Sequence, residues 1–322
     1  MSVSSSKRLE SRPLRFWVEN FGSRLALPLA LILLIGLTAI ISPGFLSPRN
    51  LQNILLQAAP LGIVVIGQCL VILVRGLDLS VASVTATAAV IATCFGPTNA
   101  SAPAVVLSAL GMAAAVGLIN GLIVTKRGVS PFLVTLASMI VLQGIRFAVT
   151  KGVPSGNVPP VFRTVGTGLF LGIPINLIIL ICLGIVFVIL TIRVPLGRQI
   201  YIVGNNPKAA KLVGINVDNV TIFCYVMSSL LAGVGGLVLV GYVGVVDNFV
   251  GRGYELDSIV AAVMGGVALT GGRGSVVGAL TGTIVLVILS NLVLQLGLPV
   301  QFQMVLKGVV VILATALYSR RV

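Results

Sequence analysis

The chain contains no histidine, and only seven of its 322 residues are aspartate or glutamate. Its four cysteines, Cys69, Cys94, Cys182 and Cys224, include no CxxC pair. Metal-dependent hydrolysis and triad-type nucleophilic catalysis draw on those residue types, so neither a catalytic residue nor a metal site is expected. No lysine follows a glycine, which excludes the phosphate loop Gly-x-x-x-x-Gly-Lys-Ser/Thr and with it a nucleotide-driven motor of that type. The cysteines all fall inside apolar runs and read as small packing residues, neither disulfides nor metal ligands.

What the chain has instead is apolar surface: 57% of residues are hydrophobic and 9% charged, with a mean hydropathy of +1.15. Near-continuous runs of the roughly 20 residues that a membrane helix needs, without the alternation of barrel strands, predict an all-α integral membrane protein. The runs fall near 25–42, 51–74, 79–96, 102–125, 131–150, 168–192, 218–246, 257–270, 275–296 and 299–318, about ten transmembrane helices. The first runs into Ser42-Pro43-Gly44 and is too long for a signal-peptide core, so it reads as an uncleaved helix. The eighth is short and is expected to be broken or re-entrant. The organisation is thus a basic N-terminal tail (1–24), a transmembrane domain (25–318) and a short C-terminal tail (319–322).

The net charge of +14 would suggest nucleic acid in a soluble protein, but membrane proteins concentrate Lys and Arg in cytoplasmic loops. With both termini cytoplasmic, Arg75, Lys126, Arg127, Arg193, Arg198, Lys208, Lys211, Arg273 and the basic tails fall inside, and only Arg49, Lys151, Arg163 and Arg252 outside. The charge is therefore topological, and no nucleic-acid partner is expected. Arg146 and Lys307 lie within or near spans; the long stem of Lys307 suits snorkelling or a bond to a carbonyl.

Leu77-Asp78-Leu79-Ser80 in one half and Leu256-Asp257-Ser258-Ile259 in the other lie one five-helix unit apart, at opposite membrane faces, as an inverted five-helix repeat requires. Asp78, Asp257 and Asp218 stand at helix starts, where an aspartate caps. Glycines recur every fourth residue at Gly117 and Gly121 and at Gly274, Gly278 and Gly282, leaving bare faces for close helix approach. Gly271-Gly272-Arg273-Gly274 reads as a flexible turn with one cationic contact. Gln57, Gln68, Asn120, Gln143 and Asn291, polar residues inside spans, are candidates with Asp78 and Asp257 for a wet pathway or its gate, or else for bonds between helices.

The loop 194–217 carries a short capped helix: Asn206 suits the N-cap, Pro207 the first turn, and Gly214 the left-handed terminus. Ala209, Ala210, Leu212 and Val213 are expected on an apolar side, with Lys208 and Lys211 sharing a face. So short a helix needs a surface to dock against, either lipid headgroups or a protein.

Three stretches, Arg75 to Ser83 (RGLDLSVAS), Tyr201 to Val217 (YIVGNNPKAAKLVGINV) and Glu255 to Gly278 (ELDSIVAAVMGGVALTGGRGSVVG), resemble the permease subunit of bacterial ATP-binding-cassette sugar importers, the ribose, xylose and autoinducer-2 branch. The resemblance runs from about residue 25 to the C-terminus; Ala82 stands where the family usually has glycine. It implies a non-catalytic permease of the bacterial inner membrane, pairing with a second copy or a paralogue. ATP and Mg would be bound by separate cytoplasmic ATP-binding subunits, and sugar would be delivered by an external sugar-binding protein. Asn206, Pro207, Lys208, Ala209, Ala210, Lys211 and Gly214 would then form the coupling helix, with Lys208, Ala209, Ala210 and Gly214 in a groove of the ATPase. An aromatic content of 6% fits a conduit whose sugar affinity resides elsewhere. The alternative is a self-contained ion-coupled secondary transporter, which calls for a carboxylate at mid-membrane and has no use for the capped helix.

Overall fold

In the computed structural model, residues 31–309 apart from 34, 43 and 300 are described. The 1–24 tail, the start of the first span, the end of the tenth and the 319–322 tail lie outside the described residues. Residues 35–41 and 301–309 are helical. Between them run α1 (Pro48–Leu73), α2 (Val81–Cys94), α3 (Ala102–Lys126), α4 (Pro131–Thr150), α5 (Pro160–Thr167), β1 (Leu169–Phe170), β2 (Ile173–Pro174), α6 (Ile175–Arg193), α7 (Pro195–Asn205), α8 (Pro207–Leu212), α9 (Val217–Val243), α10 (Tyr254–Met264) and α11 (Val276–Gln295). Among the described residues, six helices (α1, α3 with its leading 3-10 turn, α4, α6, α9 and α11) are long and apolar enough to cross a membrane. With no water in the bilayer to satisfy backbone groups, such a chain is held to helices that satisfy their own.

The bundle is organised around α1 and α9, whose apolar stretches are 89% and 67% buried against 22–28% for α3, α4 and α6. The first two form the centre and the last three face outward, where an apolar side chain costs nothing in lipid. α9 packs against α1, α2, α3 and α5. The glycine faces make close helix contacts: a Cβ on Gly117 would stand 2.7 Å from the Val226 Cα, and one on Gly282 would overlap the Ala261 carbonyl oxygen.

One expectation needs correction, one is met and one is extended. The run 168–192 is not one helix: α5 precedes it, β1 and β2 pair antiparallel, and the helix starts only at Ile175. Leu171 (φ 51°) and Gly172 (φ 81°) make the reversal, a turn hidden in a hydropathy profile by its apolar residues. The run 257–270 contributes only α10, which spans about 16 Å at 1.5 Å per residue, roughly half the hydrocarbon thickness. It stops at Gly265, and Gly266 (φ 86°) turns the chain away, so the segment is a broken helix. The loop 194–217 holds a second helix, α7, ahead of the short one.

If close approach at Gly117 sets the α3–α9 spacing, Gly117→Val will lower thermal stability in detergent by about 1–3 kcal/mol through overpacking. Gly144→Ala, where a Cβ meets nothing within 4 Å, will stay within about 0.5 kcal/mol of the parent in the same melting assay.

Candidate functional site

The three stretches that carry the resemblance meet at one end of the bundle. After α1 the chain bends at Arg75, which holds a left-handed φ of 67°. Its Nε donates to the Gly204 carbonyl at 2.6 Å and its Nη2 to the Asn205 carbonyl at 2.5 Å. Both carbonyls are at the end of α7, where the helix leaves its acceptors unfilled. The Gly272 N–H donates to the Leu73 carbonyl at 2.9 Å, and the Tyr201 hydroxyl to the Gly274 carbonyl at 3.0 Å. The 271–274 turn is therefore knitted through its backbone to α1 and α7, a correction to the expected flexible turn contacting through Arg273; Gly271 and Gly272 are buried and Arg273 is exposed.

From α7 the chain passes directly into α8. Asn206 Oδ1 accepts from the Lys208 and Ala209 N–H groups at 3.0 and 3.1 Å, and Pro207 begins the helix. At the other end Gly214 (φ 81°) donates to the Lys211 carbonyl at 3.1 Å, and the Ile215 N–H to the Ala210 carbonyl at 3.0 Å. Ala210 is fully buried within the chain, whereas Leu212 is 89% and Val213 71% exposed, and Lys208, Ala209 and Lys211 are exposed beside them. The expected apolar side is thus split, with Ala210 turned inward to anchor α8 on the chain. What projects is the pair Leu212 and Val213, flanked by two lysines. Asp218, expected as a cap, pairs instead with Lys126 Nζ at 2.7 Å, and Asn216 Oδ1 caps α9 by accepting from the Asn219 N–H at 3.1 Å.

The α1–α2 break beyond Arg75 is fixed by a buried polar network. Asp78 Oδ1 accepts from the Ser80 N–H at 3.0 Å and hydroxyl at 2.5 Å, and Oδ2 from the Ser228 hydroxyl at 3.0 Å. Asn120 Nδ2 donates to Ser80 Oγ at 3.0 Å, and the Ser138 hydroxyl to Asn120 Oδ1 at 2.5 Å. Asp78, Ser80, Asn120 and Ser228 are all 0% exposed. Asp78 therefore does not cap α2, whose N-cap is Ser80, and Asp78 and Asn120 tie four helices together.

The other sequence candidates lie apart. Asn291 and Asn50 exchange side-chain amide hydrogen bonds at 2.9 and 3.1 Å, a clasp between α11 and α1 that matches the expected alternative of a bond between helices. Asp257 neither caps α10 nor stands free: Lys307 Nζ meets its Oδ2 at 2.7 Å, so Lys307 finds a carboxylate and not a carbonyl or the interface. Gln57 is half-buried; Gln68 is fully buried with neither amide atom hydrogen-bonded within the chain.

Gln143 lines a cavity of about 290 Å³ at the far end of α4, together with Ser83, Arg146, Asn248, Arg252 and Glu255. Arg146 donates from Nη1 to the Ser83 carbonyl at 2.9 Å and Thr87 Oγ1 at 3.1 Å, and from Nη2 to the Asn248 carbonyl at 3.4 Å. Of this group the sequence reading had singled out Gln143 alone as a site residue. The available signal was Arg146, a cation inside a span with no carboxylate at helical spacing.

The model of the family described as branched-chain amino acid transport system / permease component matches residues 50–315. The chain is 37% identical over 300 residues to the ribose import permease protein RbsC of Escherichia coli (strain K12), covering 91% of this chain and 92% of that one. RbsC of Bacillus subtilis (strain 168) is 33% identical over 318 residues, 98% and 99% of the two chains. The galactose/methyl galactoside import permease protein MglC of Escherichia coli (strain K12) is 33% identical over 309 residues, 90% and 92%. No solved structure matches.

Because Arg75 fills the terminal carbonyls of α7, Arg75→Ala should leave residues 201–214 exchanging their amide protons at least tenfold faster by hydrogen-exchange mass spectrometry, while α9 stays as protected as in the parent. Unchanged exchange in 201–214 would show that the arginine does not hold this end.

Proposed function

The chain belongs to the branched-chain amino acid transport system / permease component family, and on that premise we propose that it is the membrane-spanning subunit of an ATP-driven importer of small sugars. The observation that carries the coupling part of this reading is α8: a capped, basic turn of helix whose Leu212 and Val213 project into solvent while Ala210 anchors it inward. Leaving two large apolar side chains so exposed costs free energy unless a partner covers them.

In this reading ten spans form an inverted five-helix repeat with cytoplasmic termini, in the bacterial inner membrane. Two permease chains, identical or paralogous, stand on two ATP-binding subunits that hold ATP and Mg, and an external binding protein delivers the sugar. α8 inserts Leu212 and Val213 into a groove of the ATPase, with Lys208 and Lys211 at its rim. Closure of the ATPase on ATP then moves α7 with α8, and the Arg75, Tyr201 and Gly272 bonds carry that displacement to the end of α1 and to the α10–α11 turn. Access alternates as those two broken segments shift together. Sugar is preferred to amino acid as cargo because RbsC and MglC, named for ribose and galactose import, match over nine-tenths of the chain.

The test is purification of the tagged chain from its native membrane, identification of co-purifying chains and assay of vanadate-sensitive ATP hydrolysis. Recovery of an ATP-binding subunit, stimulated by a sugar-loaded binding protein, is the expected result. Recovery of the chain alone, with ion-driven uptake in vesicles, would overturn the reading in favour of a secondary transporter. Within the complex, Leu212→Asp with Val213→Asp should reduce sugar uptake at least tenfold while membrane insertion is kept, measured as initial uptake per inserted protein.

A further inference from the structure

We propose that the cavity at the far end of α4 is a receiving site in which one monosaccharide is held by the permease itself, read through a hydroxyl group by Arg146 and Asn248. The proposal rests on the importer reading and extends it, since that reading leaves sugar recognition to a separate protein. The cavity lies away from the Asp78 network: Arg146 stands about 16 Å further along α4 than Thr135, which accepts from the Leu79 N–H beside the α1–α2 break.

Its floor is built and incomplete. Arg146 is 5% exposed and Asn248 4%, and both are locked by bonds to their surroundings. Arg146 is fixed through Nη1 and Nη2, and Asn248 donates from Nδ2 to Thr150 Oγ1 at 2.7 Å. Yet Arg146 Nε and Asn248 Oδ1 have no partner within the chain. A polar group buried without a partner keeps an uncompensated desolvation penalty, larger for a charged one, so two residues of the cavity lining each hold an unfilled atom, a donor on Arg146 and an acceptor on Asn248.

A hydroxyl both accepts and donates, so it has the chemistry to meet either the unfilled donor or the unfilled acceptor. An anion would fill the Arg146 donor but offer nothing to the Asn248 Oδ1 acceptor, in a cavity that the Glu255 carboxylate also lines. Gln143 adds an amide with donor and acceptor, and Phe249 adds an apolar face, with the Arg252 guanidinium 5.6 Å from its ring centroid. A volume of about 290 Å³ sits at the lower end of small-molecule sites, about 300–1,000 Å³, which suits one sugar ring and not a disaccharide.

The experiment uses the complete transporter in proteoliposomes, fed radiolabelled D-ribose or D-galactose with the binding protein. Gln143→Leu, which removes the amide and fills space, and Arg146→Lys, which keeps the charge but loses the Nε donor, should each assemble with the ATP-binding subunits and lower initial uptake at least tenfold. Gly144→Ala, the outward-facing neighbour, should transport as the parent does. Deoxy analogues lacking one hydroxyl locate the contact: the one whose missing hydroxyl the site reads should lose at least tenfold in the parent and no further in Arg146→Lys.

Uptake within twofold of the parent in both variants would overturn the site, as would equal further losses for every deoxy analogue in Arg146→Lys, which would mark a purely structural arginine. Competition by millimolar succinate against the sugar would overturn the hydroxyl assignment in favour of an anion. A parent complex that neither hydrolyses ATP nor takes up either sugar would instead remove the importer reading beneath it.

Discussion

The interaction on which the rest depends is the backbone bond from the Gly272 N–H to the Leu73 carbonyl, together with the Arg75 guanidinium on the last two carbonyls of α7. A membrane helix that stops short leaves amides and carbonyls with no water to meet them, and each costs kilocalories if left unpaired. α10 stops short here, and the turn that follows it donates the Gly272 N–H to the last carbonyl of α1. Two breaks that would be costly alone become tolerable together, at the point where the chain leaves the bundle for α7 and α8.

Around that joint the architecture divides by polarity. The Asp78 network and the Asn50–Asn291 clasp link helices through polar groups in an apolar surround, and both carboxyl oxygens of Asp78 are met by a hydroxyl or amide donor. Glycine contacts set how near the helices come, and polar contacts set which register they keep. Arg146 departs from this pattern: it is locked in place but not satisfied, and so differs in kind from Asp78 although both are ionisable and buried.

What could be read from the sequence was what depends on local chemistry. Asn206, Pro207 and Gly214 delimit α8 because caps, proline and a left-handed glycine act within a few residues, and the long spans are legible because lipid demands uninterrupted apolar length. The β1–β2 reversal was hidden because Leu171 and Ile173 are as apolar as the helix that follows. Which way Ala210 faces was not readable, since a helix of six residues takes its orientation from what it rests on. Nor was the tie from Arg75 to Gly204, 129 positions away. Asn291 and Asn120 were correctly seen as polar residues in spans, but whether such a group bonds a neighbour or faces water depends on partners from distant helices. The Lys307–Asp257 pair is the same case, joining two residues fifty positions apart.

Arg75 holds a backbone angle that an L-residue with a side chain adopts at a cost of about 1–2 kcal/mol. The two bonds to α7 offset that cost only while α7 is in place. Were α7 to swing away, the arginine would lose its acceptors and the backbone would relax, so one loss is partly repaid by the other gain. The strained backbone at Arg75 thus lowers the net cost of parting α7 from the end of α1, leaving the buried Ile200 and Val203 and the Tyr201 bond to hold the rest.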